Sequence, residues 1–176
     1  MSGGVFINYR GEDSRSYGAF LHMGLSRHFG QKFVFLDSES LSAGCDYTEE
    51  LLSRVRQATV VLTVIGSRWL TATDREGGRR IDNPRDWIRR ELIEAFAVGV
   101  KVVPVLTDEA EMPREDELPE DIAALGRCQY RRLRHRDASA DLARLVADLR
   151  TLDKTSWLRR GWRGLRISAL NRHKNP

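Results

Sequence analysis

The segment DWIRREL at positions 86–92 carries the residues with the clearest capacity for chemistry. On a helix, Trp87 and Glu91 lie four positions apart and therefore share one ridge. The ridge runs along the edge of the predicted buried face, which consists of Ile88, Leu92, Ala95, Phe96 and Gly99. A carboxylate and a large aromatic ring thus point together toward the rim of a sheet. The alternative is structural: Trp87 completes the core and Glu91 pairs with a neighbouring arginine.

Apolar runs of strand length recur along the chain, and helical patterns separate them. The five predicted strands are Val5–Tyr9, Phe33–Leu36, Thr59–Ile65, Val102–Leu106 and a weaker Cys128–Tyr130. The third run is continuously apolar, which is typical of a strand that is buried on both faces of a parallel sheet.

Capping residues mark where the intervening helices start. The predicted N-caps are Ser14 for the first helix, Asp46 for the second and Asn83, followed by Pro84, for the third. The third helix is expected to run to about Gly99. A short helix at 118–125 and a last helix at 138–152 complete the pattern.

Alternating strands and helices at this spacing favour a parallel sheet with helices on both faces. Five strands make this a flavodoxin-like α/β fold with strand order 2-1-3-4-5. Ligands bind such sheets beyond the carboxyl ends of the strands, where the order reverses between the first and third strands. The expected site is formed by Tyr9, Arg10 and Gly11 after the first strand and by Gly66 and Ser67 after the third.

Length and composition indicate one domain of ordinary size. The chain has 176 residues, of which 41% are hydrophobic. No apolar run approaches the roughly 20 residues that a membrane helix needs, and the first ten residues lack the pattern of a secretory signal. We therefore expect a cytoplasmic protein in which Cys45 and Cys128 are reduced structural thiols.

Other catalytic classes find no support in the sequence. No G-x-S-x-G, G-x-x-x-x-G-K-[ST], H-E-x-x-H or G-x-G-x-x-G motif occurs, and the four histidines have no metal-ligand spacing. Neither a metal nor a cofactor is expected. The net charge is +4, but the body lacks a basic stripe with interleaved aromatic residues, so nucleic acid is not an expected partner.

Two segments fall outside the strand and helix pattern. The polar insert 71–83 has the composition of a solvated loop or a lid. We expect a domain at 1–153 and a separate tail at 154–176, which holds seven basic residues and no acid. As a helix, the tail would place apolar residues opposite arginines, a pattern that could dock on an anionic membrane or a partner domain. Its two glycines weaken a helix, so a linker to a further domain is the alternative.

Three motifs resemble those of one protein family, and they occur in the family's order. VFINYRGEDSR at 5–15 resembles the first box of Toll/interleukin-1 receptor (TIR) domains, and VFLDSESLSAG at 34–44 resembles their second strand and BB loop. DWIRREL resembles the Trp-x-x-x-Glu helix of the NAD-cleaving members. The resemblance covers residues 4 to about 152 and looks closest to bacterial NAD-cleaving TIR domains. It implies the same five-stranded parallel sheet.

The resemblance implies that Glu91 is the catalytic glutamate and that Trp87 is an aromatic wall of the nicotinamide-ribose pocket. Two positions depart from related patterns. Ile88 stands where the plant consensus has Cys after the Trp, and Gly11 stands where some members have a second Arg. These departures bear on product choice and pocket detail more than on cleavage.

Tyr9 and Arg10 match the Tyr-Arg pair that ends the first strand of the family and lines the same pocket. For Arg10 two interpretations stay open. It either holds a phosphate through charge-assisted hydrogen bonds or pairs with Glu12 or Asp13.

Phe35, Asp37 and Ser67 match further pocket positions of the family. Each also has a structural interpretation. Phe35 fits the core, Asp37 fits a residue that fixes its loop, and a serine after Gly66 is ordinary turn chemistry.

By resemblance, NAD+ is a substrate and not a resident cofactor. The implied reaction cleaves the nicotinamide–ribose bond and yields nicotinamide with ADP-ribose or a cyclic ADP-ribose form. Self-association through the BB loop, 37–46, is the implied activating step, and bacterial immune defence is the implied role. The alternative is a non-catalytic TIR scaffold that acts by self-association alone.

Overall fold

The computed structural model describes residues 3–36 and 47–152. Within them, five parallel strands form one sheet in the order β2-β1-β3-β4-β5. This order confirms the predicted flavodoxin-like topology. Asp37, Cys45, the expected cap Asp46, the BB loop and the tail 154–176 lie outside the described residues.

The strands agree closely with the apolar runs of the sequence. Their bounds are β1 Val5–Tyr9, β2 Val34–Leu36, β3 Val60–Ile65, β4 Lys101–Thr107 and β5 Arg131–Leu133. Every residue of β1 and β3 is buried, as expected for the central strands of a sheet that is covered on both faces.

In the described residues, four α-helices cover the sheet. Their bounds are α1 Gly11–Phe29, α2 Tyr47–Gln57, α3 Trp87–Ala97 and α4 138–152. Shorter 3-10 turns occur at Gln31–Phe33, Arg80–Asp82, Glu115–Glu117, Glu120–Arg127 and His135–Asp137. In the described part of the chain, no helix has the length and apolar character that crossing a membrane requires.

The strand alternation divides the core between the two faces of the sheet. On one face, Phe6 packs with residues of α2 and α3 that include Val55 and Leu92. On the other face, Ile7 and its neighbours pack with residues of α1 and α4 that include Leu25 and Leu149. Successive residues of β1 therefore face different helices, and this decides which of them can reach α3.

Two helix starts differ from the prediction. Helix α1 begins at Gly11, and Ser14 lies inside it at a kink, with φ −138° and ψ 25°. Helix α3 begins at Trp87, not at Pro84, because Asp86 is its N-cap and accepts a hydrogen bond from the Arg89 N–H. Asn83 instead accepts from the Arg85 N–H at 2.8 Å and forms the turn before the helix.

The position of one strand corrects the prediction, and the insert shows local order that the sequence did not predict. The fifth strand is Arg131–Leu133, directly after the predicted run at Cys128–Tyr130. The insert 71–83 is an ordered structure, because Thr73 and Arg79 form an antiparallel bridge and the buried Ile81 anchors the 3-10 turn that follows. The predicted short helix at 118–125 is present as the 3-10 segment Glu120–Arg127.

Candidate active site

Glu91 lies on α3 and faces the end of β1. Its side chain has no exposed surface, and its Oε2 accepts a hydrogen bond of 2.6 Å from Asn8 Nδ2. The same Nδ2 donates to the main-chain oxygen of Ile88 at 3.3 Å. Asn8 thus holds the Glu91 carboxylate and the first turn of α3 against the sheet.

Asn8 is itself fully buried. Its carbonyl oxygen, Oδ1, accepts no hydrogen bond in the described part of the chain. Most buried polar atoms in folded proteins do have a partner. Next to Glu91, the side chain therefore holds an unsatisfied acceptor, which a donor such as a sugar hydroxyl reaches only if the surrounding residues rearrange.

Arg10 forms a buried ion pair with Asp86. Its two terminal nitrogens contact the two carboxylate oxygens at 2.9 and 3.3 Å, and both side chains are only 2% exposed. Arg80 Nε also lies 3.5 Å from Asp86 Oδ2. Neither carboxylate that the sequence suggested as a partner of Arg10 pairs with it.

Those two carboxylates have other partners. Glu12 pairs with Arg80 at 3.0 Å, and Asp13 accepts a hydrogen bond of 2.9 Å from the main-chain N–H of Arg68. Asp13 also packs closely against Gly66, where a Cβ would overlap the carboxylate. Asp13 therefore joins the start of α1 to the loop after β3, at the point where the strand order reverses.

Trp87 lies between the core and a surface cavity. It is half-buried and packs against the core on the α3 side of the sheet, with the Arg90 guanidinium 4.5 Å from the centre of a ring. It also borders a cavity of about 460 Å³, which we call the Trp87 cavity. The other lining residues are Glu12, Thr73, Asp74, Arg75, Arg80, Asn83, Arg85 and Asp86.

The remaining predicted site residues are not all brought to this place. Tyr9 packs with the core on the α1 side of the sheet, the face opposite to α3, and its ring lies against Gly18. Phe35 packs on the α2 side, with the Arg54 guanidinium 5.0 Å from its ring centre. Ser67 is exposed directly after β3.

A second polar cluster lies on the α1 side of the sheet. The Tyr17 hydroxyl donates to Asp108, which also accepts from the His135 N–H at 2.8 Å. Burial and the Asp108 carboxylate raise the pKa of Tyr17 to about 12. Hydrogen bonds from the His135 main chain and from Tyr17 lower the pKa of Asp108.

No group of three or more metal-ligating side chains occurs among the described residues.

Asn8 and Asp86 are the two site residues that sequence reasoning missed. A signal for Asn8 was present, since it is the polar residue of an otherwise apolar strand and alternates onto the same face as Phe6. Asp86 was a suitable N-cap residue, but the Asn83-Pro84 pair gave a stronger local signal for a helix start.

Comparisons with known proteins agree with this architecture. A family model described as "TIR domain" matches residues 5–146. Two curated relatives are similar in sequence. The NAD(+) hydrolase sarm1 of Drosophila melanogaster is 27% identical over 122 residues, which are 69% of this chain and 8% of the relative. The NAD(+) hydrolase tir-1 of Caenorhabditis elegans is 27% identical over 143 residues, 81% of this chain and 14% of the relative.

The chain therefore spans only a small part of the length of these relatives. A solved structure also has the same fold, and it is described as "Structure of the activated Roq1 resistosome directly recognizing the pathogen effector XopQ (TIR domains)". The match has a TM-score of 0.63 at 17% identity and covers 84% of this chain and 99% of that one.

Proposed function

We propose that this chain, which belongs to the TIR domain family, cleaves the nicotinamide–ribose bond of NAD+. Two proteins that are similar to it in sequence are named NAD(+) hydrolases. The observation that carries the proposal is the position of Glu91. Its carboxylate is held by Asn8, one helical turn from Trp87, which borders a cavity of about 460 Å³.

One carboxylate suffices for this chemistry. The nicotinamide of NAD+ is a cationic leaving group that departs neutral with the electron pair of the broken bond, so no general acid is needed. Ordinary glycoside cleavage, by contrast, uses two carboxylates. Glu91 stabilises the positive charge that develops on the ribose, an interaction that is strongest in the transition state.

Two acceptors can then complete the reaction. Water adds to the anomeric carbon and releases a proton to solvent, which gives ADP-ribose. Alternatively, the adenine of the same molecule attacks that carbon, which gives a cyclic form.

Because Glu91 is completely buried, the proposal also requires a way for the ribose to reach it. A ribose reaches this carboxylate only if the residues around it rearrange. We assign that rearrangement to self-association through the BB loop, 37–46. In support, the solved structure with the same fold is that of an activated resistosome. The role that we propose is bacterial immune defence through depletion of NAD+.

The same burial favours the second candidate function, a non-catalytic scaffold that acts through TIR–TIR contacts. A scaffold does not need a ribose to reach Glu91, so replacement of Glu91 should leave its function unchanged. The two candidates are therefore separated by a substitution that preserves the shape of the side chain.

The experiment compares products from NAD+ in a concentrated or crowded sample of the full chain with those of Glu91→Gln. We expect the wild type to release nicotinamide, and Glu91→Gln to be at least about 100-fold slower. The matched control is Glu94→Gln on the same helix, which removes an ion pair with Arg56 at 3.0 Å and should leave the rate near that of the wild type. Equal rates in the wild type and Glu91→Gln, or no nicotinamide from the clustered wild type, would overturn the proposal.

A further inference from the structure

The carboxylates that line the Trp87 cavity are all engaged. Glu12 pairs with Arg80, and Asp86 pairs with Arg10 and caps α3. Asp74 accepts hydrogen bonds from the main-chain N–H groups of Glu76 and Gly78, at 3.1 and 2.9 Å. Arginines therefore compensate the charges of Glu12 and Asp86, and main-chain N–H groups stabilise the carboxylate of Asp74.

Two of the three arginines that line the cavity are not engaged. Arg80 contacts Glu12 and Asp86. The side chains of Arg75 and Arg85 are exposed and form no ion pair or hydrogen bond with any residue in the described ranges. Among the described residues, the cavity thus has two arginines without an ion-pair partner.

The main chain that carries these arginines is ordered by local hydrogen bonds. Arg75 lies in the turn that Asp74 closes, where the Gly77 N–H donates to the Asp74 main-chain oxygen at 3.2 Å. Arg85 lies in the turn that Asn83 closes by accepting from the Arg85 N–H. The main chain at both arginines is therefore held at the cavity, so a bound ligand has to order only their side chains.

We propose that Arg75 and Arg85 form a binding site for the diphosphate group of a dinucleotide. Arginine suits this ligand, because its planar guanidinium donates two parallel hydrogen bonds to phosphate oxygens. Arg10, which the sequence suggested for this role, is committed to Asp86 inside the protein.

The position of Trp87 connects this site to the proposed reaction. Trp87 borders the cavity, and four helical residues, a rise of about 6 Å, separate it from Glu91. A dinucleotide with its diphosphate at the two arginines directs its nicotinamide riboside past Trp87 toward Glu91. In this respect the inference rests on the proposed function, although the arginine site can be tested without any reaction.

The test measures binding of ADP-ribose to the full chain by titration calorimetry. Arg75→Gln/Arg85→Gln is expected to weaken binding about tenfold or more, because charge-assisted hydrogen bonds are lost. Both side chains lack partners in the described structure, so the double variant should fold normally. The matched control is Arg27→Gln/Arg150→Gln, which removes two exposed charges on α1 and α4. This control should bind ADP-ribose like the wild type.

Equal affinity in the wild type and the Arg75/Arg85 variant, an equal loss in the control, or no binding of ADP-ribose by the wild type would overturn the diphosphate site. The two proposals fail separately. If ADP-ribose binding depends on the arginines but NAD+ cleavage does not depend on Glu91, only the proposed function is wrong. If cleavage depends on Glu91 but binding does not depend on the arginines, only the diphosphate site is wrong.

Discussion

Asn8 Nδ2 lies 2.6 Å from Glu91 Oε2, and both side chains are fully buried. The contact joins β1 to the middle of α3, across 83 residues of sequence. Its second bond, to the Ile88 main-chain oxygen, fixes the amide so that the donor points at the carboxylate. A glutamate that is held in this way keeps one orientation relative to the sheet.

Replacement of Asn8 should therefore affect the proposed reaction through Glu91. Asn8→Ala removes the donor, and we expect NAD+ cleavage to slow about 10- to 100-fold because the carboxylate loses its position. The measurement is the initial rate of nicotinamide release under clustering conditions. Thermal unfolding of the same sample checks that the variant is folded.

A pH profile distinguishes this positioning role from a loss of packing. Asn8→Asp places a second carboxylate against Glu91, and two such groups in contact do not both ionise readily, so the pKa of the pair rises. If the ionised Glu91 is needed, the activity of Asn8→Asp should appear at higher pH than that of the wild type. An unchanged pH profile would contradict the positioning role of Asn8.

The buried pair of Arg10 and Asp86 leads to a prediction about stability. Asp86→Asn preserves a side chain that can cap α3 but leaves the Arg10 charge buried without its partner. We expect the free energy of unfolding to fall by about 3–5 kcal/mol, the usual cost of breaking a buried ion pair. Urea denaturation measures the change.

An exposed pair provides the matched control for this substitution. Arg114 and Asp116 are in contact at 3.0 Å, with side chains that are 70% and 73% exposed. Asp116→Asn should leave the free energy of unfolding almost unchanged, because solvent screens exposed pairs. Equal effects of Asp86→Asn and Asp116→Asn would show that burial does not strengthen the Arg10–Asp86 pair.

The sheet was predictable because the sequence patterns that specify it are local and occur several times along the chain. Five apolar runs and the intervening helical patterns determine a parallel sheet, and handedness and connection rules leave few strand orders. The weak point was β5, which has two arginines and one buried leucine in Arg131–Leu133. An edge strand of this kind is defined by its pairing with β4, and the pairing is not visible in its own sequence.

The site was less predictable, since its contacts join distant parts of the chain. The Trp87–Glu91 ridge follows from helical spacing alone. The partner of Arg10 lies 76 residues away, while two carboxylates stood within three positions of it in the sequence. Local proximity therefore suggested Glu12 or Asp13, and the folded chain uses Asp86.

The contact of Tyr17 with Asp108 predicts a pH dependence of stability on the α1 side of the sheet. The pKa of Tyr17 is raised from 10.0 to about 12 in the folded protein, first by burial and then by Asp108. Its contribution to stability is complete below pH 10 and is lost as the pH rises toward 12. The pKa of Asp108 is lowered, so its contribution is present above the ordinary pKa of 3.8 and is lost as the pH falls further.

Tyr17→Phe should remove the alkaline part of this dependence. We expect the variant to be less stable than the wild type at neutral pH, because Asp108 loses a donor, and the difference to shrink between pH 10 and 12 as the wild-type tyrosine ionises. Urea denaturation at several pH values measures it, and the ultraviolet absorbance of phenolate reports the ionisation directly. Tyr130→Phe, at a tyrosine that is 41% exposed, is the control. A stability difference between Tyr17→Phe and the wild type that stays constant across this pH range would show that the raised pKa is not coupled to folding.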